Sequence, residues 1–366
     1  MDYSRETATC SKLTLLWSRH ELTVSLSAAT YAEANVSEVI QGRSLLWVLP
    51  RMIDTRSLRL HCRQCNISKL TVNGKKATWQ MLDPLERIVC DDKLACDGEA
   101  HAVFKRAAMM AAHDGELLVE LPQQVGKMTL PDEVWKSDAR CTNSASSGIK
   151  ARKDAFSNMR KRTSSAKVQP YLIEVDFTIS KPMGGLRMIF PPDTASIGLE
   201  ETHKYNPVLF TTGGILGSLY SGEDVDGARC RWPCLDGPYG HHEAPVELLL
   251  TNEAHHSVVA SGYLISKTVI DYPAHNDEIK SPNLRGDQTC THWFVGPRVR
   301  SRSVGFAIGG FRQLESHGDS DSSRDTDLSY STKRDNCISQ WVLSCSSPDQ
   351  VSRVEVMFMK SLFAAN

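Results

Sequence analysis

Leu58, Leu60 and Cys62 alternate with Arg59, His61 and Arg63, and the stretch they begin closes on Val72-Asn73-Gly74. A period of two sends successive side chains to opposite faces, which defines a strand with one apolar face buried and one polar face toward water. Asn73 and Gly74 both accept positive φ, so together they satisfy a type I′ turn and send the chain back antiparallel. A half-buried strand with so tight a return needs further strands to complete its sheet.

The rest of the chain supplies them. Short turn-bounded runs predict strands at 12–17, 21–27, 44–49, 57–62, 68–72 and 117–121. A second series follows at 171–179, 186–190, 246–250, 256–261, 263–269, 292–295 and 303–308. Helical patterning is confined to an Ala- and Met-rich stretch at 99–112 and a terminal one at 350–363. Two segments lose all apolar periodicity. The first, at 137–167, gathers Ser, Lys and Arg and reads as a flexible basic insertion; the second, at 315–336, is acidic and Ser-rich and reads as a disordered loop. The fold class expected is therefore mainly β, with one or two helices and two disordered insertions.

With 366 residues, the chain can hold one large β domain with appendages, and 41% hydrophobic residues can furnish its core. Lys and Arg number 42 against 43 Asp and Glu, so no global positive field draws it to nucleic acid, and any such contact must be local. The candidate patch is Lys150, Arg152, Lys153, Arg160, Lys161, Arg162 and Lys167, opposed only by Asp154. It reads either as a DNA contact or as a nuclear-import signal. No run of about 18 apolar residues suggests a membrane span, and the first thirty residues lack a secretory pattern.

The 11 cysteines are odd in number and scattered, which suits a reduced, intracellular protein. Two close pairs, Cys62 with Cys65 and Cys230 with Cys234, each have the spacing of half a zinc site, but local sequence shows no matching half for either. The pairs His241-His242 and His255-His256 are expected in exposed loops with rings pointing apart.

Several blocks, in order, resemble the amino-terminal β domain shared by gluzincin-type zinc aminopeptidases and the aminopeptidase-like subunit of the transcription factor TFIID. LRLHCRQCNISKLTVNG at 58–74 resembles the early hairpin in its TFIID form, and DGELLVELPQQV at 114–125 the strand that follows. KPMGGLRMIFP at 181–191 carries the Gly184-Gly185 turn, and ARCRWPCLDGP at 228–238 looks like the family's Pro-Cys stretch. SVVASGYLIS at 257–266 and SVGFAIGGF at 303–311 resemble the closing strands.

The resemblance implies a saddle-shaped antiparallel β-sandwich over 1–314, with 337–366 as the start of a peptidase-like domain. Within it, Asn73, Gly74, Gly184, Gly185, Arg229, Pro233, Cys234 and Asp236 are structural motif positions. Arg229 and Asp236 would fix their loop by charge-assisted hydrogen bonds, and Pro233 would set its bend.

The resemblance also implies what the chain does. Zinc catalysis in the family needs His-Glu-x-x-His on a helix, whose two imidazoles share a face. Here His20-Glu21 and His242-Glu243 lack the second histidine, and Pro245 would spoil a helix at the latter. The Gly-x-Met-Glu-Asn strand that binds a peptide's amino terminus is absent as well. No catalytic residue, metal or cofactor is expected, and no small-molecule substrate.

The implied role is a nuclear, non-catalytic scaffold in core-promoter recognition and preinitiation-complex assembly, with promoter DNA, TBP and other TBP-associated factors as partners. The alternative is a truncated member of the zinc aminopeptidase family that contributes only its β domain.

Overall fold

The computed structural model describes residues 7–8, 13–26, 40–52, 55–82, 115–122, 146–164, 169–180, 185–189, 208–211, 227–236, 242–270, 287–314 and 340–343. The strands up to the helix are β1 (Thr7–Ala8), β2 (Leu13–Val24), β3 (Ile40–Pro50), β4 (Ser57–Leu60), β5 (Asn66–Val72), β6 (Lys75–Lys76), β7 (Trp79–Met81) and β8 (Leu117–Glu120). Helix α1 (Ser146–Ser164) follows. After it come β9 (Tyr171–Ile179), β10 (Leu186–Ile189), β11 (Val208–Thr211), β12 (Ala244–Glu253), β13 (Ser257–Ala260) and β14 (Tyr263–Ile270). The last are β15 (Gln288–Val299), β16 (Phe306–Gly309), β17 (Phe311–Leu314) and β18 (Gln340–Leu343).

One eight-stranded sheet, ordered β14-β15-β12-β2-β3-β9-β5-β6, forms the body. Two four-stranded sheets, β1-β4-β8-β7 and β10-β11-β16-β13, contribute Leu58, Leu60, Val119, Leu209 and Ile308 to the same core as its inner face. A β17-β18 pair completes the described strands. The mainly β expectation holds.

The sheet is mixed, whereas an antiparallel one was expected. β12 runs parallel to β2, with Val246 opposite Ser18 and Thr251 opposite Thr23, and β1 runs parallel to β4. Alternation reports which face a residue occupies and says nothing of strand direction. A parallel neighbour needs a long crossover, and the chain between β2 and β12 is ample for one.

β2 also corrects the expectation of separate strands at 12–17 and 21–27. It is one strand of 12 residues whose register against β3 shifts between Leu15 and Trp17. Such a bulge inserts a residue and reverses which parity faces inward. Leu13 and Leu15 before it, and Leu22 and Val24 after it, therefore join the same core, while Leu16 and Trp17 turn to the opposite face. An alternation that breaks midway looks like two short strands.

That opposite face is covered by α1, which overturns the flexible reading of the basic insertion for its residues 146–164. Ala155 and Met159 pack with Trp17, Trp47, Leu172, Ile265 and Phe294. The Phe156 and Trp17 rings stand nearly perpendicular, with centroids 6.4 Å apart. Gly148 is also buried, and an added Cβ there would stand 2.9 Å from Tyr263. The inward positions 148, 152, 155 and 159 do follow helical spacing. They include only one large apolar side chain, so the pattern is faint in sequence, and the helix is stabilised by the aromatic sheet face beneath it.

The hairpin at Asn73-Gly74 is as expected, with φ of 53° and 74° and Val72 opposite Lys75. Asn73 also ties β5 to β9: its Oδ1 accepts from Leu172 N at 2.8 Å, and its own N–H donates to Leu172 O at 2.8 Å. The expected helices at 99–112 and 350–363, the loop at 315–336, Gly184 and Lys167 lie outside the described residues. Gly185 has φ of 54° and leads into β10.

Candidate functional site

Three of the blocks singled out in sequence meet at one buried junction. His61 and Cys234 form an antiparallel bridge, exchanging N–H···O bonds of 2.8 and 2.9 Å. Arg63 N donates to Arg229 O at 2.7 Å, and Gln64 Nε2 donates to Cys230 O at 2.5 Å. The 58–74 hairpin is thus sewn to the 228–238 stretch.

The third block supplies the charge. Glu116 Oε1 accepts from Arg63 Nε at 2.7 Å and from Arg229 Nη1 at 3.2 Å, and Oε2 accepts from Cys62 N at 3.1 Å. A carboxylate serving two guanidiniums and a main-chain donor meets the condition under which a buried charge is tolerated. Gly115 puts it there. Its φ of +83° is the left-handed region, and a Cβ at that position would lie 2.6 Å from Leu60 O.

Arg229 and Asp236 were expected to fix their loop by charge-assisted hydrogen bonds; the carboxylate that Arg229 meets is that of Glu116, and Asp236 takes part through its main chain. Nη2 of Arg229 donates to the main-chain carbonyl of Asp236 at 3.1 Å, while Asp236 N donates to His61 Nδ1 at 2.9 Å. Glu116 lies inside the 114–125 block, yet as a single acid at a strand entrance it carries no local signal. Pro233 and Cys234 are both buried.

Beside this junction, the His20 ring stacks on Trp232 with centroids 4.5 Å apart, and its Nδ1 lies 2.9 Å from Ser44 Oγ. Burial, with the nearby Arg231 charge adding to it, pushes the His20 pKa down to about 3. His20-Glu21, a near miss for a zinc motif, is therefore a neutral core imidazole next to a surface acid paired with Arg19 at 2.8 Å. His255 is exposed in a turn, as expected, whereas His256 is not. Their rings approach to 3.9 Å, and His256 is buried with Nδ1 3.1 Å from Glu253 Oε2.

The cysteine pairs that seemed unmatched halves are brought side by side here. Cys62, Cys65 and Cys234 belong to the core, and none of these or Cys230 is in a disulfide. Even so, among the described residues no group of three or more His, Cys, Asp or Glu is disposed to hold a metal ion.

The basic patch lies across the sheet, on α1. Lys150, Lys153, Arg160 and Lys161 are exposed, together with Asp154. Arg152 faces inward instead, and its Nε meets the fully buried Glu247 at 2.6 Å, with His292 Nε2 3.4 Å from the other oxygen. Burial alone would raise the Glu247 pKa, but His292 and the Arg152 charge outweigh it and hold the carboxyl below its ordinary value. Arg162 lies in the last turn of the helix.

Arg152→Met would leave Glu247 with His292 alone. The expected loss is about 2 kcal/mol of stability, the scale for a buried group stripped of its main partner. Urea denaturation should show it, with most recovered in the Arg152→Met, Glu247→Gln double variant; a double variant as damaged as the sum of the two singles would mean that the pair contributes nothing.

Fold and sites together define a mainly β domain whose central mixed sheet is covered by smaller sheets on one face and by a basic helix on the other. No protein-family model and no curated protein matches the chain. Among solved structures, yeast LTA4 hydrolase in complex with bestatin is similar at 13% identity and a TM-score of 0.43, over 86% of this chain and 32% of that one. The M1 zinc metallopeptidase from Deinococcus radiodurans is similar at 12% identity and a TM-score of 0.42, over 82% of this chain and 43% of that one. This chain thus spans less than half the length of either.

Proposed function

We propose that the chain is a non-catalytic nuclear scaffold, the amino-terminal part of a TBP-associated factor 2, the aminopeptidase-like subunit of TFIID. In this role it binds core-promoter DNA and joins TBP and other TBP-associated factors during preinitiation-complex assembly. The observation that carries the reading is α1: a helix anchored on its inner side presents Lys150, Lys153, Arg160 and Lys161 outward along three turns. Cations on a docked helix neutralise phosphates without first having to order a loop. The 58–74 block, which resembles the early hairpin in its TFIID form, supports the same reading.

The test is fluorescence anisotropy of a labelled core-promoter duplex across a salt series. Log affinity is expected to fall linearly with log salt. Replacing the four exposed cations with alanine should flatten the slope by up to about 3–4, at ~0.9 per lost phosphate contact. Protein partners without DNA affinity would leave a purely protein-binding scaffold. Stoichiometric zinc with turnover of aminopeptidase substrates would overturn the non-catalytic reading in favour of a zinc aminopeptidase.

A further inference from the structure

α1 carries a hydroxyl at the centre of its outward side. Gly148, Ala155 and Met159 are buried against the sheet, and at about 3.6 residues per turn Ser157 falls on the opposite side of the helix, where it is exposed. Lys153 lies four residues before it and Lys150 seven, while Arg160 and Lys161 follow three and four residues after. These are the offsets at which side chains of one helix face meet, so the four exposed cations of α1 surround this one position. Asp154 is the single acid of the helix.

The anchoring of α1 lies mostly to one side of Ser157. Gly148, Arg152 and Ala155 all precede it, and Arg152 holds the fully buried Glu247 at 2.6 Å; of the inward positions only Met159 comes after it. The last two turns can therefore open locally and offer Ser157 in extended chain, while the Arg152–Glu247 pair keeps the first part of the helix docked.

We propose that Ser157 is a phosphorylation site for a protein kinase directed by basic residues, and that its phosphate switches off phosphate binding by α1. This regulation rests on the DNA-binding role of α1. Arg152 and Lys153 on one side and Arg160, Lys161 and Arg162 on the other supply the basic flanks. The Ser157 Oγ attacks the γ-phosphorus of ATP on the kinase, the bond to the bridging oxygen of ADP breaks, and the hydroxyl proton passes to a carboxylate of the kinase. The product carries about −1.5 to −2 charge within reach of Lys153, Arg160 and Lys161, and it pairs with cations that would otherwise meet DNA.

The experiment treats the full chain with ATP and a basic-directed protein kinase, maps peptides by mass, and measures salt-dependent anisotropy with the labelled core-promoter duplex. The expected product is about 80 Da heavier at the peptide containing Ser157. Its salt slope is expected to be flatter by about 2, at ~0.9 per lost phosphate contact. Ser157→Ala should escape both changes, and Ser157→Glu should show part of the flattening without kinase. Phosphate only on Thr163 or Ser164, or none anywhere on the helix, would overturn the modification site. Phosphate on Ser157 that leaves an α1-dependent affinity unchanged would overturn the regulation alone. Binding that ignores the α1 cations before any treatment would instead sink the DNA-binding role, and the regulation with it.

Discussion

Arg229→Met is expected to cost roughly 3–5 kcal/mol of folding stability, the scale for breaking a buried ion pair by removing one partner. Arg229 is fully buried, and Glu116 at 3.2 Å is nearly so. Without the guanidinium, Glu116 keeps only the Arg63 contact, which is more than a third exposed and so weaker, and its bond from Cys62 N. The Asp236 carbonyl also loses its donor. Methionine fills much of the volume and supplies no charge, so the loss measures electrostatics rather than a cavity. Denaturant midpoints of Arg229→Met, Glu116→Gln and the double variant give the coupling between them. A double variant as damaged as the sum of the singles would show that the two side chains do not act as a pair.

Acid should weaken the protein well above the range in which carboxylates titrate, and His20 is the cause. In the folded chain its pKa lies at about 3 against 6.5 for an unperturbed imidazole. Above the unfolded value both states are neutral at this position and nothing is lost. Below it the unfolded chain takes up a proton that the folded chain refuses, so stability falls by ~1.4 kcal/mol per pH unit until the folded pKa is reached. Two units below the unfolded value the loss is about 3 kcal/mol. His20→Gln removes the titration. It starts from lower stability, because the stack on Trp232 is lost, yet its pH profile in this window should be flatter. Parallel profiles for the two proteins would rule His20 out.

How much of this was legible in the sequence depended on how local the determinant was. The Asn73-Gly74 turn could be read because two adjacent residues fix its dihedral angles. The bulge in β2 could not, because it disrupts the very alternation by which a strand is recognised. Helix α1 was hidden because its inner stripe contains Gly148 and Arg152, residues that signal a core only when a tryptophan-rich sheet and Glu247 are opposite. The hairpin and Pro-Cys blocks were each identifiable. Their meeting at His61 and Cys234 joins residues 173 positions apart, as 234 − 61 gives, and no local pattern encodes that.

The parallel seam between β2 and β12 sets a clock on the making of this protein. β2 leaves a ribosome just ahead of β3 and can pair with it soon afterwards. Its other edge waits for β12, which begins about 220 residues later, roughly ten to forty seconds at ~5–20 residues per second. Throughout that interval the nascent chain carries a long strand rich in Leu whose main-chain donors and acceptors await their final neighbour. Protection of that edge by a chaperone during synthesis, or a slow late phase in refolding, follows from the order of strands alone.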